Sequence, residues 1–152
     1  MKKTIIVVII LAIIGIFFLQ NSITGNAVAK EEITVFKSPT CGCCTNYIPY
    51  LKQLGKFNVK TINTDDMNHI KDKFGVPASM ESCHTIMIGN YFVEGHVPMK
   101  AIEKLLEEQP DIKGIALPGM PEGSLGMPGP KTEQFIVYAI QKDGTQSEFM
   151  RL

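Results

Sequence analysis

The chain has 152 residues, with 15 Lys and Arg against 15 Asp and Glu, four Cys, eight Met, three His and no Trp. That length suits one compact domain, and zero net charge argues against a nucleic-acid binder, which would carry a basic excess along one face. A charged fraction of 20% beside a hydrophobic fraction of 45% rules out a disordered chain.

Lys2 and Lys3 precede Ile5 to Leu19, fifteen residues with no charge and one Gly. A short basic start before an apolar run is the layout of an export signal, with the lysines held on the cytoplasmic side. Fifteen helical residues reach ~22 Å, short of the ~30 Å hydrocarbon core, and adding Gln20 to Ile23 brings the run closer to spanning. Ala27-Val28-Ala29 offers a small-residue cleavage site. Two fates stay open: a cleaved signal over residues 1–29, or a retained membrane anchor through residues 5–23. A buried core helix is disfavoured because the run is apolar on every side. Either fate places residues 30–152 outside the cytoplasm, secreted or anchored. Without Lys2 and Lys3 that portion carries 13 basic and 15 acidic side chains.

Glu32 to Phe36 alternates polar and apolar residues over a β-branched stretch and predicts a strand. Lys37-Ser38-Pro39-Thr40 breaks it, and Cys41-Gly42-Cys43-Cys44 follows at once. Tyr47, Tyr50, Leu51 and Leu54 recur at i, i+3, i+4 and i+7, an amphipathic helix that Gly55 ends. Val59 to Ile62 predicts a second strand, and Thr64 or Asp65 can cap a helix running to about Phe74. After a loop from Gly75-Val76-Pro77, His84 to Ile88 and Tyr91 to Glu94 are two strands separated by Gly89-Asn90, a hairpin dipeptide. Pro98 fits the first turn of a helix whose apolar face is Ile102, Leu105 and Leu106 and which ends near Gln109-Pro110. Pro118 to Pro130 is Gly or Pro at eight of thirteen positions and reads as a loop; loops this long in a small domain are usually functional or disordered. Gln134 to Ile140 predicts a further strand, and Lys142 to Thr145 a turn into a short closing strand. The order β-α-β-α-β-β-α predicts an α/β layer with one parallel and one antiparallel strand pair.

Four cysteines in an oxidising compartment would by default form two disulfides, but three of them fall within four residues. Set between a strand and a helix, these thiols face the positive helix end, which favours thiolate. Cys41 and Cys44 form a C-x-x-C pair where thioredoxin-type proteins carry theirs, and Pro49 resembles the proline of the thioredoxin active-site helix. Cys43 is surplus to a redox dithiol, and pairing it with adjacent Cys44 would close a strained ring. Cys83, directly before the strand at His84, is expected to approach the cluster with His84 in a thioredoxin-like arrangement, although strand neighbours point to opposite faces. Thiols with an imidazole at one pole make a soft site for Cu(I) or Zn(II), and the methionine count favours copper. Met67, Met80, Met87 and Met99 are expected in the core and His69 in solvent. His96 follows a strand and a Gly that permits a sharp turn, and it is a candidate ligand, as are Met120 and Met127 in the Gly/Pro loop.

CGCC, GVP, SCHT, EGHVP and ALPGMPEGSLGMPG, read in that order from about Ile33 to Ile140, resemble the CopG-type copper-resistance proteins, long catalogued as a domain of unknown function. The resemblance implies a thioredoxin-like fold, an exported location and copper held by cysteines, including a multi-copper thiolate cluster. It also implies a role in copper handling, including interconversion of Cu(I) and Cu(II). Carried over by position, the metal site is Cys41, Cys43, Cys44 and Cys83, with His84 and His96 as candidates; donor or acceptor proteins for copper are the implied partners. Two departures stand out. Relatives often have Trp where this chain has Tyr47, and Pro77 lies six residues before Cys83, away from the usual place of the thioredoxin docking proline. Two other classes stay open beside copper handling: a thiol–disulfide oxidoreductase using Cys41 and Cys44, and a zinc-bound or disulfide-stapled module that docks to a membrane partner.

Overall fold

The computed structural model describes residues 30–152; the expected export segment, residues 1–29, lies outside them. Strand β1 (Glu31–Lys37) leads through the cysteine turn into helix α1 (Cys44–Gln53), then β2 (Phe57–Asn63), helix α2 (Met67–Phe74) and a 3-10 turn at Ala78–Met80. The hairpin β3 (His84–Ile88) and β4 (Tyr91–Glu94) follows, then α3 (Met99–Glu108), β5 (Gly114–Ala116), β6 (Ile136–Ile140) and β7 (Gln146–Arg151). Among the described residues no helix is long and apolar enough to cross a membrane.

All seven strands form one mixed sheet in the order β2-β1-β3-β4-β5-β6-β7. The β1–β2 and β4–β5 pairs are parallel and the others antiparallel. The first six predicted elements and the third helix stand where the pattern put them, and the architecture is consistent with a thioredoxin-like α/β fold. The α2 cap is one residue later than expected: the Asp66 carboxylate accepts from the His69 N–H at 3.0 Å, and Gly75 closes the helix in the left-handed conformation, φ 71°.

Side-chain alternation sorts the sheet into two faces. Ile33, Val35, Ile86, Ile88, Val93, Ile115 and Val137 face α1 and α3 and pack with Tyr47, Ile48, Leu51, Ala101, Ile102 and Leu105. Each Val, Leu or Ile among them removed from water stabilises the fold by ~1.5–3 kcal/mol. Phe92, Ala116 and Ile140 lie on the other face with Val76 and Met80, and Phe36 meets the Phe74 ring of α2 at 5.6 Å.

Strand β5 is an addition to the predicted order. It is Gly114-Ile115-Ala116, paired with β4 through Phe92↔Gly114 and Glu94↔Ala116. The glycine is required by close approach, since a Cβ there would collide with the Phe92 carbonyl oxygen and stand 2.7 Å from its ring.

Candidate metal centre

Four segments leave the sheet at one end. Register pairs Lys37 with His84, Thr85 with Glu94, and Glu94 with Ala116. The chain beyond Lys37, before His84, beyond Glu94 and beyond Ala116 therefore emerges together. These segments carry Cys41 to Cys44, Cys83, His96 and the Gly/Pro loop.

Cys43 is the N-cap of α1 and makes no side-chain capping bond, and the first turn holds no acidic residue. The positive helix end is thus left to the sulfur atoms. Cys41 and Cys44 are joined by a disulfide, while Cys43 and Cys83 are free thiols. Cys43 Sγ lies 3.4 Å from Cys41 Sγ. The four sulfurs are mutually within 4.8 Å, so the expected convergence of Cys83 on the turn is realised.

A second group shares Cys83. Its sulfur is 3.1 Å from His84 Nδ1 and 3.0 Å from His96 Nε2, and His84 Nδ1 also stands 3.7 Å from Cys44 Sγ. The alternation concern over Cys83 and His84 does not apply. His84 opens the strand with the parity of Ile86 and Ile88 and so faces α1, whereas Cys83 precedes the strand and is free to turn toward the same side.

Both imidazoles are fully buried, and burial drives each pKa down. That of His84 falls to about 3, with His96 and the Lys71 ammonium adding to the effect of burial. For His96 the Leu125 carbonyl opposes the shift. That carbonyl accepts from His96 Nδ1 at 2.6 Å, so Nδ1 carries the proton and Nε2 presents its lone pair toward Cys83. His84 Nε2 has no hydrogen-bond partner among the described residues. The Cys83 thiol is pushed up to about 12, first by burial and then by hydrogen bonding and charge from Cys43. The lowered pKa expected at the helix end concerns the Cys41–Cys44 turn and not Cys83, which lies half-buried just before β3. A metal must displace its proton on binding.

The residues that hold this geometry were less visible in the sequence. Tyr47, expected on the helix face and, through the resemblance, in the packing beside the site, sets its ring tilted against His84 and edge-on to His96 at centroid distances of 4.8 and 5.2 Å and donates its hydroxyl to the Val97 carbonyl at 3.0 Å. Its pKa is raised by burial and by the charge on Cys83. On the opposite sheet face Glu94 is fully buried and paired with Lys71. Its carboxylate also accepts from the Ser82 N–H and the Thr85 hydroxyl, both at 2.6 Å. Ser82 precedes Cys83, and the Gly95 N–H donates to the His84 carbonyl at 2.9 Å, so this network braces the segment that delivers both ligand candidates. A carboxylate at the core-facing parity of Phe92 was the readable signal.

The Gly/Pro loop is ordered against the site. Met127 N–H donates to the Ser124 carbonyl at 2.8 Å, and Gly123 N–H to the Pro128 carbonyl at 3.2 Å. Gly126, φ 86°, lies over the first turn of α1, where a Cβ would stand 3.0 Å from Tyr47 N and 3.3 Å from the Cys43 carbonyl oxygen. Met120 Sδ is 4.0 Å from Cys43 Sγ. His69 is exposed and Met80 buried, as expected, while Met67, Met87 and Met99 are half-buried. Thiols, neutral imidazoles and a thioether are the donor set of a soft metal ion, and the residues present fit one.

Residues 80–127 match a family described as "Protein of unknown function, DUF411". Two solved structures, of copper resistance protein CopG in its forms 2 and 1, are each 38% identical to this chain, with a TM-score of 0.74. Each covers 82% of it, and the match takes in 99% and 98% of their own chains. The chain belongs to the CopG family. No curated protein matches it. Within the CopG match, the family segment 80–127 contains Cys83, His84, His96 and Met120 but not the CGCC turn.

Proposed function

We propose that this CopG-family chain binds copper outside the cytoplasm and stores it, passes it on or cycles its oxidation state. The observation that carries the reading is the double membership of Cys83, whose sulfur lies within 4.8 Å both of the three turn sulfurs and of the two imidazole nitrogens. One thiolate placed in both groups suits a cluster of bridged ions better than a single tetrahedral site. The solved relatives carry copper resistance in their names. Metal ligands are Cys41, Cys43, Cys44 and Cys83 with His84 and His96. Reduction by two electrons and two protons must first open the Cys41–Cys44 disulfide to two thiols. Copper enters as cargo, Cu(I) in the reduced site, and its partners are the proteins that deliver and remove it. Residues 1–29 are the export or anchoring segment and residues 30–152 the working domain.

Anaerobic reduction, addition of Cu(I) and elemental analysis test this: more than one copper per chain is expected. A fully reduced chain that stays copper-free overturns it.

The Cys41–Cys44 disulfide favours a second reading, a thiol–disulfide oxidoreductase. It requires that reduction of a small disulfide survive Cys43→Ser and Cys83→Ser. Loss of all activity in both variants, with the Cys41–Cys44 pair still able to close, removes it. Zinc retained against copper competition would instead support a non-catalytic zinc module.

A further inference from the structure

The Cys41–Cys44 disulfide is flanked by two free thiols in different surroundings. Cys83 is turned to the imidazoles, 3.1 Å from His84 Nδ1 and 3.0 Å from His96 Nε2, and burial holds its proton on the sulfur. Cys43 is half-exposed, makes no side-chain capping bond and lies 3.4 Å from Cys41 Sγ. Thiolate is the form that attacks a disulfide, and α1 presents its positive end to Cys43. Of the two thiols, Cys43 is the one placed to react.

Attack at Cys44 would close the strained ring of adjacent cysteines. Attack at Cys41 closes a ring through Gly42, where the missing side chain and open surroundings let the turn adjust. The departing sulfur, Cys44 Sγ, belongs to a residue only 1% exposed and stands 3.7 Å from His84 Nδ1. His84 Nε2 has no partner among the described residues, and a buried N–H without an acceptor is costly. The imidazole proton therefore belongs on Nδ1, whose neighbours are the sulfurs of Cys83 and Cys44. Cys83 in turn has the bare Nε2 of His96 as acceptor for its thiol proton. The interior is thus built to receive a thiolate at Cys44.

We infer that Cys43 is an internal nucleophile that moves the disulfide from Cys41–Cys44 to Cys41–Cys43 and back. In the forward step the Cys43 thiolate bonds to the Cys41 sulfur and the Cys41–Cys44 bond breaks. Cys44 leaves as a thiolate that accepts from His84 Nδ1–H. One thiolate is consumed and one is formed, so the four sulfurs keep their electron count without an outside oxidant or reductant. The exchange gives the buried Cys44 a route to the surface. In the reduced chain an outside disulfide reacts at the Cys43 thiolate and releases one thiolate of its own. Cys41 then displaces the second, and Cys44 displaces Cys43. The inference rests on the disulfide and the sulfur geometry and stands apart from the copper reading.

The test uses the full chain, reduced and kept metal-free by a chelator. Oxidised glutathione is added, and samples are quenched in acid at intervals, unfolded and alkylated with N-ethylmaleimide. Cleavage after Lys37 and Lys52 puts Cys41, Cys43 and Cys44 on one peptide, and fragmentation mass spectrometry locates the adduct in copies that carry a single one. That adduct is expected first on Cys44, which marks the Cys41–Cys43 bond, and later on Cys43 as the bond moves inward. Cys43→Ser is expected to close the Cys41–Cys44 bond about tenfold more slowly than the parent, and Cys83→Ser at the parent rate. An adduct on Cys43 alone at every interval, or a Cys43→Ser chain that closes as fast as the parent, overturns the inference. Slowing by Cys83→Ser in place of Cys43→Ser overturns it too, by naming the other thiol as nucleophile. A chain that shows the exchange yet takes up no Cu(I) once reduced overturns the copper reading alone.

Discussion

Glu94 and Lys71 lie across the sheet from the imidazoles, buried and paired. Burial alone would raise the Glu94 pKa, and the ammonium with the Thr85 and Ser82 bonds opposes that rise. Removing one member leaves a buried charge without its partner, at a cost of ~3–5 kcal/mol. Glu94→Gln is therefore expected to lower the urea midpoint of the metal-free chain by that equivalent, and adding Lys71→Met to recover most of it. A single-variant loss below ~1 kcal/mol, the range of an exposed pair, would show that the network does not brace the Cys83 segment. Tyr47→Phe is a milder case: it leaves the Val97 carbonyl unpaired for ~1 kcal/mol and keeps the ring contacts with both histidines. At this scale the sequence was partly legible. Cys83, His84 and His96 announce themselves as donors near strand ends. The Leu125 carbonyl that sets the His96 tautomer is a main-chain group, and no side-chain pattern reveals it.

Elements with a strong local signal were read nearly to the residue. Gly89-Asn90 separates His84–Ile88 from Tyr91–Glu94 as the hairpin rule requires, and Met99–Glu108 follows Pro98 with its apolar stripe inward. Strand β5 was not legible because three residues give no alternation and its glycine counts against a strand. It forms through pairing with β4 and β6 on either side, a tertiary cause. The Gly/Pro loop was legible as a loop but not as a lid on α1. Its seating depends on Gly126, whose positive φ and close approach to Tyr47 make Gly126→Ala strained by ~1–2 kcal/mol. The substitution is expected to lift the loop and withdraw the Leu125 carbonyl from His96. Proton NMR checks this through the His96 Nδ1–H signal, protected in the parent chain and lost to solvent exchange in the variant. A protected signal in Gly126→Ala would mean that the loop is held by its own internal bonds alone.

The whole molecule gathers its chemistry at one end of a single sheet, so the site has no existence apart from the fold. In the unfolded chain Cys83 is nearly 40 residues from the CGCC turn, and a metal there can meet only local thiols. Binding must therefore favour the folded state, by ~2.7 kcal/mol at free metal 100-fold above Kd, less whatever the unfolded cysteines retain. For a domain of this size that is a rise in Tm of at least about 5 °C. The reduced chain with one equivalent of Ag(I) is expected to show it by calorimetry. The chain with the Cys41–Cys44 disulfide closed should show a smaller rise, since two of its four thiols are withdrawn. Cys83→Ser should lose most of the rise in either state, because that one sulfur belongs to both the thiol and the imidazole groups. Equal stabilisation of Cys83→Ser and parent would mean that silver sits on the turn alone, and that the two groups do not act as one centre.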